Sequence, residues 1–170
     1  MIYYKTPEEI ESIRECCSLI SKTLSGVASK IQPGVPTIDL DSFAEEFIRD
    51  NGAEPAFKGY MGFPNSLCIS VNEAIVHGIP GNDEIREGDI LSIDCGVHKN
   101  GFYGDSAYSF LVKQGGDAEK KLLATTRHSL FEGVSQARVG NRIGDISNAI
   151  QSCIERAGTY SIVRELVGHG

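Results

Sequence analysis

Apolar residues recur at three- and four-residue steps from Ile10 through Ile13, Cys17, Ile20, Leu24 and Val27 to Ile31. That rhythm lays one buried stripe along a long amphipathic helix. Thr6-Pro7-Glu8-Glu9 supplies its start, with Thr as N-cap, Pro at the first helical position and Glu9 closing a capping box; Pro33-Gly34 ends it. A second helix is predicted over residues 37–51, with Leu40, Phe43, Ala44, Phe47 and Ile48 facing inward and Gly52 as the stop. Between residues 56 and 112 the pattern changes to short β-rich runs, Leu67-Cys68-Ile69-Ser70-Val71 and Asp89-Ile90-Leu91-Ser92-Ile93-Asp94-Cys95. Asn100-Gly101 predicts a two-residue hairpin turn, with residues 102–112 as the return strand. Helical periodicity resumes over 117–138 and 144–157, and Ile162 to Val167 reads as strand-like.

The helical pattern repeats. Pro33-Gly34 through Asp39 and Phe47-Ile48 to Gly52 recurs 106 positions later as Val139-Gly140 through Asp145 and Cys153-Ile154 to Gly158. Each copy follows a long amphipathic helix. Two unrelated helix-turn-helix segments would share some of these positions. A duplicated α/β unit accounts for the constant offset, and it puts the counterparts of Asp94 and Asp105 beyond residue 170. On that reading residues 1–113 form a complete first half and residues 114–170 an incomplete second half.

Composition narrows the class. A chain of 170 residues with 41% hydrophobic and 23% charged positions is long enough for a folded domain with a sizeable core. A net charge of −7 without clustered Lys or Arg argues against nucleic-acid binding. No apolar stretch is long enough for a signal peptide or membrane span, so a cytoplasmic location is expected. The five cysteines form no Cys-x-x-Cys pair, and reduced thiols are the expectation in that compartment.

Asp94 and Asp105 flank the Asn100-Gly101 turn. A two-residue loop pairs Lys99 with Phe102 and sets Asp94 opposite Ala107. Both carboxylates then point to one face as diagonal neighbours, ~7–8 Å apart at the backbone. Carboxylates so placed can share two divalent ions. Solvated edge-strand aspartates beside a turn account for the spacing equally well. Two like charges on a buried face, however, require a counter-charge. His77, in Val76-His77-Gly78-Ile79-Pro80, suits a loop over a cleft or a structural hydrogen bond. His169, between Gly168 and Gly170, could approach a ligand closely, and imidazole ligates Zn, Fe, Ni or Cu.

Taken in order, Asn65-Ser66-Leu67-Cys68-Ile69-Ser70-Val71-Asn72-Glu73, Val76-His77-Gly78-Ile79-Pro80, Gly88-Asp89-Ile90-Leu91-Ser92-Ile93-Asp94, Gly101-Phe102-Tyr103-Gly104-Asp105 and Gly168-His169-Gly170 resemble the motifs of bacterial type I methionine aminopeptidases. The resemblance spans the chain from Lys5-Thr6-Pro7-Glu8-Glu9-Ile10 onward. It implies the α+β pita-bread fold, made of two α/β halves. It implies a centre of two divalent ions (Co, Mn, Fe or Zn), with Asp94 ligating one, Asp105 bridging both and His169 ligating the other. His77 would contact substrate and steady the transition state, and Tyr60, Phe63 and Cys68 would line the methionine side-chain pocket. Phe57, Met61 and Phe63 stand where the family often has Cys, His and Tyr, which leaves the pocket's details open. A second substrate-contacting His and two glutamates of the family lie C-terminal to the Gly-His-Gly motif.

These implications yield expectations for activity and partners. The substrate is a peptide or nascent chain beginning with methionine, with no direct nucleic-acid or membrane partner. The 170-residue chain is expected to hold at most one ion weakly, to show little peptidase activity, and to self-associate through an incomplete sheet. The rival readings are another pita-bread peptidase, such as a proline-directed aminopeptidase, and a non-catalytic binding module.

Overall fold

The computed structural model describes residues 3–158 and 160–169. They form two compact units, Met1–Gly115 and Gly116–Gly170.

In the first unit, α1 (Pro7–Ala28) begins at the predicted cap: the Glu9 amide donates to Thr6 Oγ1, and the Thr6 amide donates to Glu9 Oε2. Its buried side is Cys16, Leu19, Ile20, Thr23, Leu24 and Val27. The predicted stripe is rotated at its N-terminal end: Ile10 is 46% exposed and Cys17 is exposed, while Cys16 is fully enclosed. Successive helical residues lie about 100° apart, so a shift of one position at the edge of the stripe exchanges the buried residue. The Cys16 thiol lies against the Lys99 and Phe102 carbonyls at the hairpin turn, and this contact selects it over Cys17. Helix α2 (Thr37–Asp50) buries Leu40, Ala44 and Ile48, with Phe43 and Phe47 partly covered.

Four antiparallel strands follow: β1 (Glu54–Pro55), β2 (Leu67–Val71), β3 (Ile90–Lys99) and β4 (Phe102–Leu111). Strand β3 is central, paired with β4 on one side and with β2 and the short β1 on the other. Alternation along β3 divides the sheet's faces. Leu91, Ile93, Cys95 and Val97 are fully buried and join Leu67, Ile69 and the apolar sides of α1 and α2 in one core. Each such aliphatic side chain contributes about 1.5–3 kcal/mol. The opposite face carries Ser92, Asp94 and Gly96. The turn follows the two-residue geometry, with Asn100 at φ 53° and Gly101 at φ 82°.

In the second unit, α3 (Asp117–Ser135) packs against α4 (Ile143–Arg156). Helix α4 begins and ends 106 positions after α2, and glycines at positive φ bracket both helices: Gly34 and Gly52 around α2, Gly140 and Gly158 around α4. The run from Ile162 to Val167 is not a strand; it is irregular, with a bend at Arg164 and Glu165. A run rich in β-favouring residues becomes a strand only on a ladder partner, and none pairs with this run among the described residues. No helix of the described residues is long and apolar enough to cross a membrane.

Candidate metal centre

The β3–β4 ladder sets Lys99 against Phe102, Asp94 against Ala107 and Gly96 against Asp105. Asp94 and Asp105 therefore occupy the same sheet face, two positions apart across the ladder. Strand β2 places Cys68 opposite Asp94 on the other flank, in the same row of side chains. The thiol, the two carboxylates and the hydroxyls of Ser92 and Ser109, 2.9 Å apart, form the polar side of the sheet.

The electrostatics follow from this crowding. Asp94 is pushed up to about 6, chiefly by burial and then by the neighbouring Asp105 charge and carboxyl; His77 and the Cys95 amide oppose the rise. Burial is uneven. Asp94 is half-buried whereas Asp105 is exposed, so the face is not fully enclosed as its like charges suggested. The Cys68 thiol rises to about 11, from burial first and then from Asp94, Asp105 and Asp41. It is a neutral group at neutral pH.

His77 reaches this neighbourhood on a loop between β2 and β3. Asn72 and Asp89 tie the loop's base: Asn72 Nδ2 donates to Asp89 Oδ1, and the Ile90 amide donates to Asn72 Oδ1, both at 2.9 Å. The loop then returns along β2, where the Ile69 amide donates to the Gly78 carbonyl at 2.9 Å and the Gly78 amide to Ser70 Oγ at 3.1 Å. A Cβ at Gly78 would sit 2.2 Å from the Ile69 carbonyl oxygen, so a side chain is excluded there. His77, just before it, is exposed and held at φ 57°.

Near the other end of the face, the Phe57 ring lies over Gly96: a Cβ there would meet Phe57 Cε1 at 2.5 Å. The following tight turn, Tyr60–Gly62, leaves Tyr60 70% exposed and Phe63 half-buried. The structure thus brings Asp94, Asp105, Cys68 and His77 into one neighbourhood, with Tyr60 and Phe63 on the segment leading into β2. His169 is exposed and belongs to the second unit, and Gly170 of its motif lies outside the described residues. Among the described residues no group of three or more His, Cys, Asp or Glu side chains is arranged to hold a metal ion. The donor set nonetheless suits a hard divalent cation: two carboxylates adjoin on one face, where burial first and then the Asp105 charge lift Asp94.

Sequence reasoning passed over Asp41. This α2 carboxylate is 3% exposed and accepts from Asn65 Nδ2 at 2.9 Å and from the Ser66 and Leu67 amides at 2.9 and 2.7 Å. Its signal was present: an acid directly beside Leu40 and three residues before Ala44, on the margin of the inward stripe.

The family model for metallopeptidase family M24 matches residues 11–170. A methionine aminopeptidase of Clostridium perfringens is 48% identical over 170 residues, covering all of this chain and 68% of the relative. The crystal structure of methionine aminopeptidase from Rickettsia prowazekii superposes with a TM-score of 0.97 at 35% identity, covering 100% of this chain and 68% of that one. A prolidase from Pyrococcus furiosus has a TM-score of 0.81 at 21% identity, over 91% of this chain and 44% of that one, which shows a shared fold alone. The arrangement is the α+β pita-bread fold, and the chain covers its first half and part of the second. The chain belongs to metallopeptidase family M24 and, within it, to the type I methionine aminopeptidases, metal-dependent enzymes that remove the N-terminal methionine of peptides.

Proposed function

We propose that the β3–β4 face is the carboxylate side of a dinuclear hydrolytic centre acting on peptides and nascent chains that begin with methionine. Asp94 and Asp105 would hold the divalent ions, and His169 would supply an imidazole ligand. The observation that carries this reading is the convergence of Asp94 and Asp105 on one sheet face, where the Asp105 charge adds to the burial that raises Asp94. When bound, a pair of Mn, Co, Fe or Zn ions supplies an activated water and polarises the scissile carbonyl. The chain's own residues orient the peptide. His77, on its tethered loop, contacts the substrate amide and steadies the charge that develops on it. Tyr60, Phe63 and the neutral thiol of Cys68 line the pocket for the methionine side chain, and Phe57 walls one end of it.

The join between the two halves lies near residue 114. The outer edge of β4 pairs with no strand among the described residues, and it is the route we assign to self-association. A cytoplasmic location completes the proposal.

The experiment is release of methionine from Met-Ala-Ser with added Co²⁺ or Mn²⁺, comparing the chain with Asp94→Asn. Slow, metal-dependent release that the substitution abolishes supports the assignment. Release unaffected by Asp94→Asn overturns it.

A further inference from the structure

Two carboxylates on α2 hold the segment that carries the pocket residues. Asp41 takes three hydrogen bonds, from Asn65 Nδ2, the Ser66 amide and the Leu67 amide, where the segment enters β2. Glu45, one turn further along the same side of the helix, accepts from Lys58 Nζ at 2.5 Å and from Arg49. Both ends of residues 58–65 are thus fixed to one helix.

Between the anchors the chain is closed on itself. The Gly59 amide donates to the Phe63 carbonyl at 2.8 Å, the Phe63 amide to Tyr60 at 2.9 Å and the Tyr60 amide to Phe57 at 3.0 Å. Gly59, Met61 and Gly62 all sit at positive φ. A turn so tightly wound moves as one body, and its placement depends on where its ends are held. Cys68 follows Leu67 immediately, so the same three bonds set the start of the row that ends at Asp94. A buried carboxylate is costly unless its oxygens are fully used. Here Oδ1 serves both amides and Oδ2 serves Asn65. Lys58–Glu45 is more exposed and contributes less.

We propose that Asp41 is a positioning residue for methionine selection: by clamping Asn65, Ser66 and Leu67 it fixes Tyr60, Phe63 and Cys68 relative to the carboxylate face. This rests on the pocket assignment made above. Asp41 touches neither substrate nor ion and acts through the segment it holds.

Removal of Asp41 would strand three donors and could unfold the chain, so the test uses a swap. Asn65→Asp sets carboxylate against carboxylate; adding Asp41→Asn restores one donor–acceptor pair while its Oδ1 still accepts both amides. Two quantities are read with Mn²⁺ present. The first is chymotryptic cleavage after Tyr60, relative to cleavage at the exposed Tyr3 and Tyr4. The second is the ratio of affinities for Met-Ala-Ser and Gly-Ala-Ser. Asn65→Asp is expected to speed cleavage at least tenfold and reduce the methionine preference at least fivefold, leaving Mn²⁺ affinity unchanged. The double substitution returns both to within about twofold of the parent. Unchanged values in Asn65→Asp, or failure of the double substitution to restore them, overturn the proposal. If the parent itself shows no methionine preference, the pocket assignment and the selection role fall together, and the cleavage arm still decides whether Asp41 clamps the segment.

Discussion

Cys68 faces Asp94 directly across the β2–β3 ladder, with Ala107 on the far side of the same row. Burial at 6% exposure holds the thiol in its protonated form, and the carboxylate beside it strengthens that preference. The residue therefore behaves as a small apolar surface next to the acids.

Alkylation checks this. Thiolate is the reactive form, and Cys68 holds almost none at pH 8. Brief treatment with iodoacetamide should modify the exposed Cys17 at least tenfold faster than Cys68, as read by peptide mass spectrometry. Comparable rates at the two positions would contradict the assigned environment.

Asp94 also makes stability depend on pH. Its folded value, about 6, lies above the ordinary 3.8, so the folded state binds the proton more tightly than the unfolded state does. The contribution is fully favourable below about pH 4 and is lost as pH rises through about 6. Asp94→Asn should therefore stabilise the metal-free chain at pH 7.5 by about 1 kcal/mol, a value reduced for the group's partial exposure. The gain should vanish near pH 4 in paired urea titrations.

Divalent ions should reverse the sign of that effect. An ion that binds only the folded chain adds about 1.4 kcal/mol at ten times its Kd, a rise of roughly 3–6 °C in Tm for a domain of this size. Mn²⁺ should raise the Tm of the parent at pH 7.5 and leave Asp94→Asn and Asp105→Asn unmoved. Because the proton competes for Asp94, the rise should shrink as pH falls through about 6.

The approach of Gly78 to Ile69 gives a steric prediction. A methyl at Gly78 meets backbone, which has no rotamer to yield. Gly78→Ala should destabilise the chain by about 1–3 kcal/mol in urea denaturation, whereas Gly81→Ala, where the space is open, should fall within about 0.5 kcal/mol of the parent.

What the sequence disclosed depended on how local the governing physics was. The facing of Asp94 and Asp105 was legible because a two-residue Asn-Gly turn fixes the parity of everything beyond it, and the span of β2 was legible from five β-favouring residues. The choice of Cys16 over Cys17 was not, because the hairpin carbonyls that receive the thiol lie more than 80 residues away. For Asp41 the margin of the inward stripe marked its burial, but its partners, a distant asparagine side chain and two backbone amides, left no mark in the sequence. The run from Ile162 to Val167 had β-favouring residues at both ends and, among the described residues, no ladder to join.

The short turn at Asn100-Gly101 has a consequence for how this chemistry can be lost. Lengthening it by one residue, with the rest of β4 sliding to keep its bonds, would send Asp105 through the sheet to the layer of Cys16 and Ile20. Every acid would remain in the sequence, yet the pair would be separated by the thickness of the sheet. Deletions and insertions at this bend are thus as damaging to the centre as replacement of an aspartate, although they alter no group that meets substrate or ion.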